Sequence, residues 1–506
     1  MAIEIISATH NGLDGILIKV EVDINKGMPS FNIVGLPDAS VKESKERVRS
    51  AIINSGFEFP LGRITINLAP ADIRKIGSLL DLPIALGILT KSNQIIEKDL
   101  KDFIVFGELS LKGDLKAIKG VLPIIFEGKN NKKNSFIFPF SNLKELRSFN
   151  IGNFYPFKNL KEVISFINYE DLLPFVFKGD KPKTKDILLD YSEIIGQQTS
   201  KRAMEIAAAG RHNILLYGAP GAGKTMLAKA LPSIMPPLSP REEMEIAKIY
   251  SASGMLEEQI EIPFRSPHHT ITKVALVGGG KEIKAGEITL AHNGVLFLDE
   301  ILEFKRDVLE VLREPLEEKV ININRINGSY KLPSNFLLIG AFNPCPCGLY
   351  IEGFNNSNGC TCSERDRKKY TSRLSRAMLD RIDLLNYVPR LKVEEINKRK
   401  DSLSSNEMKK RVLYARDIQR ERYIKSKYNY NSEVKGKDIN KFFNLSEGGK
   451  NLIDIYYEKC NLTMRGYDKI IKVARTIADL DLSDEIYEYH IFEALGYRKN
   501  VDGEII

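Results

Sequence analysis

Gly218-Ala-Pro-Gly-Ala-Gly-Lys-Thr225 follows the apolar run Asn213-Ile-Leu-Leu-Tyr217. A strand feeding a glycine-rich loop and then a helix is the setting in which this spacing cradles phosphates. Gly218, Gly221 and Gly223 let successive backbone N–H groups turn toward one point, where the positive end of the next helix also favours a polyphosphate. Lys224 is then placed to reach the β and γ phosphates, and Thr225 to offer its hydroxyl to Mg²⁺. Further along, Val295-Leu-Phe-Leu298 runs into Asp299-Glu300, a buried strand ending in two acids. A glycine turn alone could be a tight strand-to-helix connection; joined to the acid pair it predicts nucleotide hydrolysis.

The chain has 506 residues, too many for one core, and suggests three or so domains. Its 43% hydrophobic and 28% charged residues are ordinary for a globular protein, and no apolar run is long enough to span a membrane. The start, Met1-Ala-Ile-Glu-Ile-Ile6, lacks the basic and apolar regions of a secretory signal, so the cytoplasm is the expected compartment. A net charge of +8 is compatible with a nucleic-acid partner and equally with a lysine-rich composition.

Residues 1–170 alternate short β-rich runs such as Ile16-Leu-Ile-Lys-Val-Glu-Val22 with helical patterns at Ser40 to Ser55 and near Leu79 to Leu89, predicting an α+β domain. Residues 171–190 contain Lys178-Gly-Asp-Lys-Pro-Lys-Thr-Lys185, with the composition of an exposed linker. Over 191–392 the two motifs and further apolar runs, including Phe336-Leu-Leu-Ile-Gly-Ala-Phe342, alternate with helices as a doubly wound α/β module does. Residues 393–506 turn helical and strongly charged, which predicts a helical lid. No internal repeat is visible.

Other ordered signatures are Ile195-Gly-Gln-Gln198, Phe264-Arg-Ser-Pro-His-His-Thr270, Gly278-Gly-Gly280, Gly286-Glu-Ile-Thr-Leu-Ala-His292, Asn343-Pro-Cys-Pro-Cys-Gly348, Leu379-Asp-Arg-Ile-Asp383 and Val473-Ala-Arg-Thr-Ile-Ala-Asp479. With the P-loop they make the chain resemble, over almost its whole length, the ComM/YifB proteins, a magnesium-chelatase-like branch of the AAA+ ATPases. The resemblance implies an α/β fold: an AAA+ P-loop module, a C-terminal helical lid, and an N-terminal Lon-protease-like (S5-like) α+β domain. It further implies a homo-hexameric ring with ATP between subunits and DNA at its centre, and a helicase that promotes branch migration in natural transformation.

The same resemblance distributes roles. Asp299 looks like the Mg²⁺-side acid and Glu300 like the base that orients the attacking water. Asn343 resembles a sensor whose amide reads the γ-phosphate or the lytic water, although Asn-Pro is also a turn former. Arg381 looks like an arginine finger that enters the neighbouring subunit's site. The family has Gly-Pro where this chain has Arg376-Ala377, so Arg376 or Arg373 competes for that role. Arg465 stands where the lid's second sensor is expected, with a surface ion pair as its alternative.

The interval between Thr225 and Asp299 leaves room for an extra hairpin, and Phe264 to Gly286 is a reasonable occupant. Its Lys273, Lys281 and Lys284 are candidates for sequence-independent phosphate contacts, or are simply solvated loop lysines. His268 and His269, being adjacent, point differently on a strand or a helix, which argues against one shared metal. Cys345, Cys347, Cys360 and Cys362 form two C-x-C pairs able to close a tetrahedral zinc site, although free thiols are also normal in reducing compartments. Cys460 stands alone and reads as a small apolar residue.

The N-terminal likeness to Lon rests on Gly107-Glu-Leu-Ser-Leu-Lys-Gly113 and Gly77-Ser-Leu-Leu-Asp-Leu-Pro83. Ser78 and Lys119 are both off the Ser-Lys pattern of that family, so peptidase activity has no nucleophile-base pair to carry it. Two function classes remain. One is an ATP-driven motor that tracks single-stranded or branched DNA without reading its sequence. The other is a chelatase-like ATPase that remodels a protein partner, which lacks here the acidic, proline-rich region of chelatase subunits.

Overall fold

The computed structural model describes residues 2–73, 75, 77–149, 151–169, 172–177, 189–280, 283–325, 328–350, 360–391 and 403–499. The expected linker run at 178–185, Lys281 and the 392/393 boundary lie outside the described residues. Two compact units emerge, one comprising Met1–Thr184, Pro240–Glu261 and Lys281–Lys284, the other Lys185–Ser239, Ile262–Gly280 and Ala285–Ile506.

In the first unit, β1 (Ile3–Asn11), β2 (Asp14–Asn25), β3 (Ser30–Val34) and β4 (Arg63–Ala69) form a sheet in the order β1-β2-β4-β3, with β3 parallel to β4 and the other pairs antiparallel. Ile18, Val20 and Val22 on β2 are fully buried while Lys19 is exposed, the alternation expected of a strand with one covered face. Helix α1 (Ala39–Asn54) starts where the Asp38 carboxylate accepts the Val41 amide at 2.8 Å, and it buries Val41, Val48 and Ile52 along one stripe. Helix α2 (Asp81–Lys91) is apolar nearly all round and buried. Its buried Asp81 is held by the Arg47 guanidinium at 2.8 Å, which offsets the cost of enclosing a carboxylate. Three parallel strands, β5 (Phe103–Val105), β6 (Ser135–Pro139) and β7 (Asn153–Phe157), make a second sheet with β6 in the middle. The helix Pro240–Ser253 belongs to this unit: Ser251 accepts the Gly120 amide at its carbonyl (2.9 Å), and Ala247 joins the same apolar cluster.

The second unit is an α/β structure on a parallel sheet. Its strands are β8 (Ile214–Tyr217), β9 (Phe264–Arg265), β10 (Val295–Leu298), β11 (Leu337–Phe342) and β12 (Leu384–Tyr387), ordered β9-β10-β11-β8-β12. All residues of β8, β10 and β11 are buried, which explains why these segments read as unbroken apolar runs rather than alternating ones. Helices α3 (Gln198–Gly210) and α4 (Lys224–Ala230) flank β8 in the chain. Helix α5 (Glu364–Thr371) precedes β12, and beyond that strand the described residues form the helices α6 (Ser405–Tyr423), α7 (Glu447–Lys459), α8 (Met464–Leu480) and α9 (Glu488–Gly496). Met408, Val412, Ile470 and Ile477 share one apolar cluster with Ile206, Ile214 and Leu216, so these helices and the sheet have a continuous core.

Part of the Val473–Asp479 signature is structural. Asp479 is fully buried and is bonded by Arg475 Nε at 3.0 Å, Arg422 at 2.9 Å and Asn431 Nδ2 at 2.7 Å. A carboxylate so enclosed persists because each lone pair is met.

Candidate active site

The carboxyl ends of β8, β10 and β11 meet at one place, where parallel α/β sheets form their ligand crevices. Gly218 follows β8, and a Cβ built on it would lie 2.2 Å from the Val388 carbonyl oxygen. Its glycine is thus required by the close approach of the chain after β12, not by the turning of amides that the sequence suggested. Gly221 and Gly223 do take left-handed backbone angles, φ 75° and 95°, and added Cβ atoms there would meet nothing within 4 Å. A concave stretch of backbone open on one side is what a polyphosphate needs.

Lys224 opens α4, and its ammonium donates to the carbonyls of Gly218 (2.7 Å) and Ala219 (2.9 Å) and to Asn343 Oδ1 (3.1 Å). Burial lowers its pKa, an effect that the nearby Asp299 and Glu300 carboxylates oppose. Thr225 Oγ1 donates to Asp299 Oδ2 at 2.9 Å, and Asp299 Oδ1 accepts the Glu300 amide at 3.0 Å. Glu300 itself stands at φ 50°, a strained angle for a side-chain-bearing residue, of the sort that concentrates at functional sites. Its exposed carboxylate lies 3.6 Å from His269 Nδ1. Ammonium, hydroxyl, aspartate and the open glycine loop fit a triphosphate with Mg²⁺: Lys224 for phosphate oxygens, Thr225 and Asp299 for the metal.

The candidate arginines stand elsewhere. Arg381 is largely buried against Glu317, 2.6 Å from its carboxylate, and also donates to the Ala377 carbonyl. Arg373 is bonded to Leu302 O at 3.0 Å and Glu303 Oε2 at 2.9 Å, whereas Arg376 is exposed on a short helix. Arg465 is exposed in the first turn of α8, one turn ahead of Lys469, whose ammonium donates to the Ile382 carbonyl at 2.7 Å. Lys273 and Lys284 are both exposed. His268 bonds Thr270 Oγ1 at 2.9 Å and its ring lies 4.1 Å from that of His269.

Cys345, Cys347, Cys360 and Cys362 are gathered so that all four sulfurs lie within 4.8 Å of one another, and among the described residues they form the one cluster suited to a metal ion. In the first unit, Ser78 Oγ donates to the Glu108 carboxylate, and Lys119 lies along Gly254.

Two supports of the site have contacts that no local sequence signal announces. Gln197 sits at φ 56° and its amide donates to Ala222 O (3.2 Å) within the P-loop and to Pro389 O (2.7 Å) beyond β12. Only its place in the Gly-Gln-Gln signature hinted at it. His269 stands beside the Glu300 carboxylate, a neighbourhood that its place in the chain, 31 residues before that acid, does not announce.

The magnesium chelatase subunit ChlI family matches residues 190–396, and its C-terminal domain matches 402–498; a further ChlI subunit domain matches 20–142. Competence protein ComM of Haemophilus influenzae is 40% identical over 506 residues, covering 98% of this chain and 97% of that protein. The chain belongs to the ComM/YifB family of magnesium-chelatase-like AAA+ ATPases. YifB of Escherichia coli, another family member, is likewise 40% identical, over 497 residues that cover 96% of this chain and 95% of its own. The magnesium-chelatase 38 kDa subunit of Cereibacter sphaeroides is more distant, at 25% identity over 175 residues, 30% of this chain and 52% of that one. Membership accounts for ATP and Mg²⁺ as the ligands of the P-loop site. Among the described residues no helix is long and apolar enough to cross a membrane.

Proposed function

We propose that this protein is an ATP-hydrolysing ring motor acting on DNA, a branch-migration helicase in recombination during natural transformation. The observation that carries the reading is the meeting of Lys224, Thr225, Asp299 and Asn343 through hydrogen bonds of 2.9 to 3.1 Å at the sheet's carboxyl end. Lys224 binds phosphate oxygens, Thr225 and Asp299 hold the metal, and Glu300 takes a proton from the attacking water. Mg²⁺, when bound, neutralises charge on the phosphates. Asn343, already bonded to Lys224, reports whether the terminal phosphate is present. Arg381 acts on the site of a neighbouring subunit in a homo-hexamer, and Arg465 acts from the lid. A structural Zn²⁺ occupies the four cysteines, and the N-terminal domain is an inactive Lon-like scaffold. The relative named for competence supports the DNA substrate, single-stranded or branched and read without regard to sequence. The protein is cytoplasmic.

The match to a magnesium chelatase subunit favours a second reading, an ATPase that remodels a protein partner. Steady-state hydrolysis with and without single-stranded and forked DNA, with Glu300→Gln as background, separates the two. Stimulation by DNA supports the motor; hydrolysis indifferent to every DNA form across a range of salt overturns it in favour of the remodelling ATPase.

A further inference from the structure

The four cysteines lie next to the site, not apart from it. Cys345 follows Asn343 by two residues and is fully buried, and the Gly348 amide closes a turn onto the Cys345 carbonyl at 2.9 Å. Gly348 stands at φ 78°, where a Cβ would lie 2.6 Å from Cδ of Pro220 in the P-loop and 3.8 Å from Cγ of Asn343. The cysteine turn is therefore packed directly on the phosphate loop, as close as glycine alone permits.

On its other side the cluster grips a helix. Cys362 precedes Ser363, the cap of α5, and the Arg367 guanidinium on α5 donates to the Cys362 carbonyl at 3.2 Å. From the end of that helix, the Tyr370 hydroxyl donates to Glu303 at 3.1 Å and Arg373 donates to Leu302 and Glu303. Leu302 and Glu303 belong to the turn that immediately follows Glu300. The cluster thus joins the sensor end of the site to the turn that follows Glu300, the proposed base.

The spacing suits an ion. With zinc–sulfur bonds of about 2.3 Å, tetrahedral geometry puts sulfurs about 3.8 Å apart. The observed separations are 3.3 Å for Cys345–Cys347, 3.6 Å for Cys347–Cys360 and 3.9 Å for Cys345–Cys360. These are far longer than a disulfide, and all four thiols are free.

We infer that zinc in this four-thiolate site is a clasp which holds Asn343 and the loop after Glu300 in register with the P-loop, so that metal occupancy governs turnover more than nucleotide binding. Lys224 and the glycine loop touch the clasp at Asn343 and Pro220 but are anchored at both ends by β8 and α4, so affinity survives its loss. Asn343 and Glu300 act on the terminal phosphate and the water, where a displacement of about 1 Å costs about 100-fold in rate. The cysteines here are positioning residues. The inference rests on the zinc and ATPase readings above.

The test uses the purified full chain. Metal analysis of the wild type is expected to give about one zinc per chain, and replacement by Co²⁺ to give the thiolate-to-cobalt charge-transfer band in the near ultraviolet. That band is expected to shift when a slowly hydrolysed ATP analogue with Mg²⁺ is added, a readout that needs no turnover. In Cys360→Ser/Cys362→Ser, zinc is expected to be lost, fluorescent-nucleotide affinity to stay within about threefold, and kcat to fall at least about tenfold. Should that variant not fold, zinc is ejected from the wild type with a mercurial, and turnover is followed through ejection and after thiol and zinc are restored; the expected result is reversible loss. Absence of zinc overturns the metal reading and the clasp together. Zinc present, with a silent cobalt band and turnover unchanged on its removal, overturns the clasp alone. No hydrolysis in the zinc-loaded wild type with any DNA, while the cobalt band still responds to nucleotide, overturns the ATPase reading and leaves the mechanical coupling standing.

Discussion

Thr225 and Asp299, 74 residues apart in the chain, are joined by a 2.9 Å hydrogen bond from the threonine hydroxyl to the aspartate carboxylate. The pair ties the first turn of α4 to the end of β10 and places a hydroxyl and a carboxylate side by side where Mg²⁺ is expected. Lys224→Ala removes the charge next to that pair and is expected to abolish nucleotide binding, read with a fluorescent analogue. Glu300→Gln keeps the shape but removes the base, so binding is expected to remain while turnover falls by about 100-fold or more. Tight binding retained by Lys224→Ala would contradict the assignment.

Arg381 is committed to Glu317 within its own chain, so a role in a neighbour's site requires that ion pair to be exchanged during assembly. Arg381→Ala is expected to stop turnover while leaving nucleotide affinity per subunit unchanged, by about 1000-fold in rate if it is a finger. Arg376→Ala, at an exposed position, serves as the comparison. Wild-type turnover in Arg381→Ala, with loss in Arg376→Ala, would transfer the role to Arg376.

Salt dependence gives an independent measure of backbone contact by Lys273 and Lys284, both exposed in the segment between Phe264 and Gly286. Each phosphate contact on single strands adds about 0.7 to the slope of log affinity against log salt. The double alanine variant is therefore expected to flatten the slope by about 1.4 if both contribute. An unchanged slope means these are solvated lysines.

Asp383 is a group whose protonation the fold resists. Burial pushes its pKa up, but Lys469 at 3.4 Å, His212 at 3.2 Å and Lys472 outweigh that and hold the carboxyl well below its ordinary range. A carboxylate lowered on folding contributes stability that is fully present above its unfolded pKa, near 3.8, and is lost as pH falls through the lower folded value. The partner Lys469 is pushed down to about 8 by burial, so over the window from 8 to 10.5 the unfolded chain binds more protons and stability rises with pH. Asp383→Asn is expected to cost about 3 kcal/mol at neutral pH, the low end for breaking a buried pair because Lys469 can shed its proton. Denaturant unfolding against pH checks this: the variant should show a flatter acid limb than the wild type below about pH 4.

What could be read from residues alone follows from which signals are local. The P-loop, the acid pair after Val295–Leu298 and the buried strands announce themselves because glycine spacing and unbroken apolar runs act within a few residues. The bounds of α1 and α2 were close to those expected, Ser40 to Ser55 against Ala39–Asn54 and Leu79 to Leu89 against Asp81–Lys91, since apolar periodicity and caps are local too. The same logic failed at Gly218, where the need for glycine comes from Val388, a neighbour supplied only by strand pairing. It also gave no partner for Gln197 or His269, because those partners lie far off in the chain.

By itself, then, the sequence determined the chemistry on offer: a glycine-rich loop, a hydroxyl and an acid of the types that suit Mg²⁺, four soft thiols and the family that combines them. Tertiary structure decided who meets whom. It put Asn343 on Lys224, Arg381 on Glu317 and the cysteine turn on Pro220. The reason is physical. A residue type carries its donors, charges and shape wherever it stands, but a contact between distant residues exists only once a common sheet and core have overcome the entropy of bringing them together.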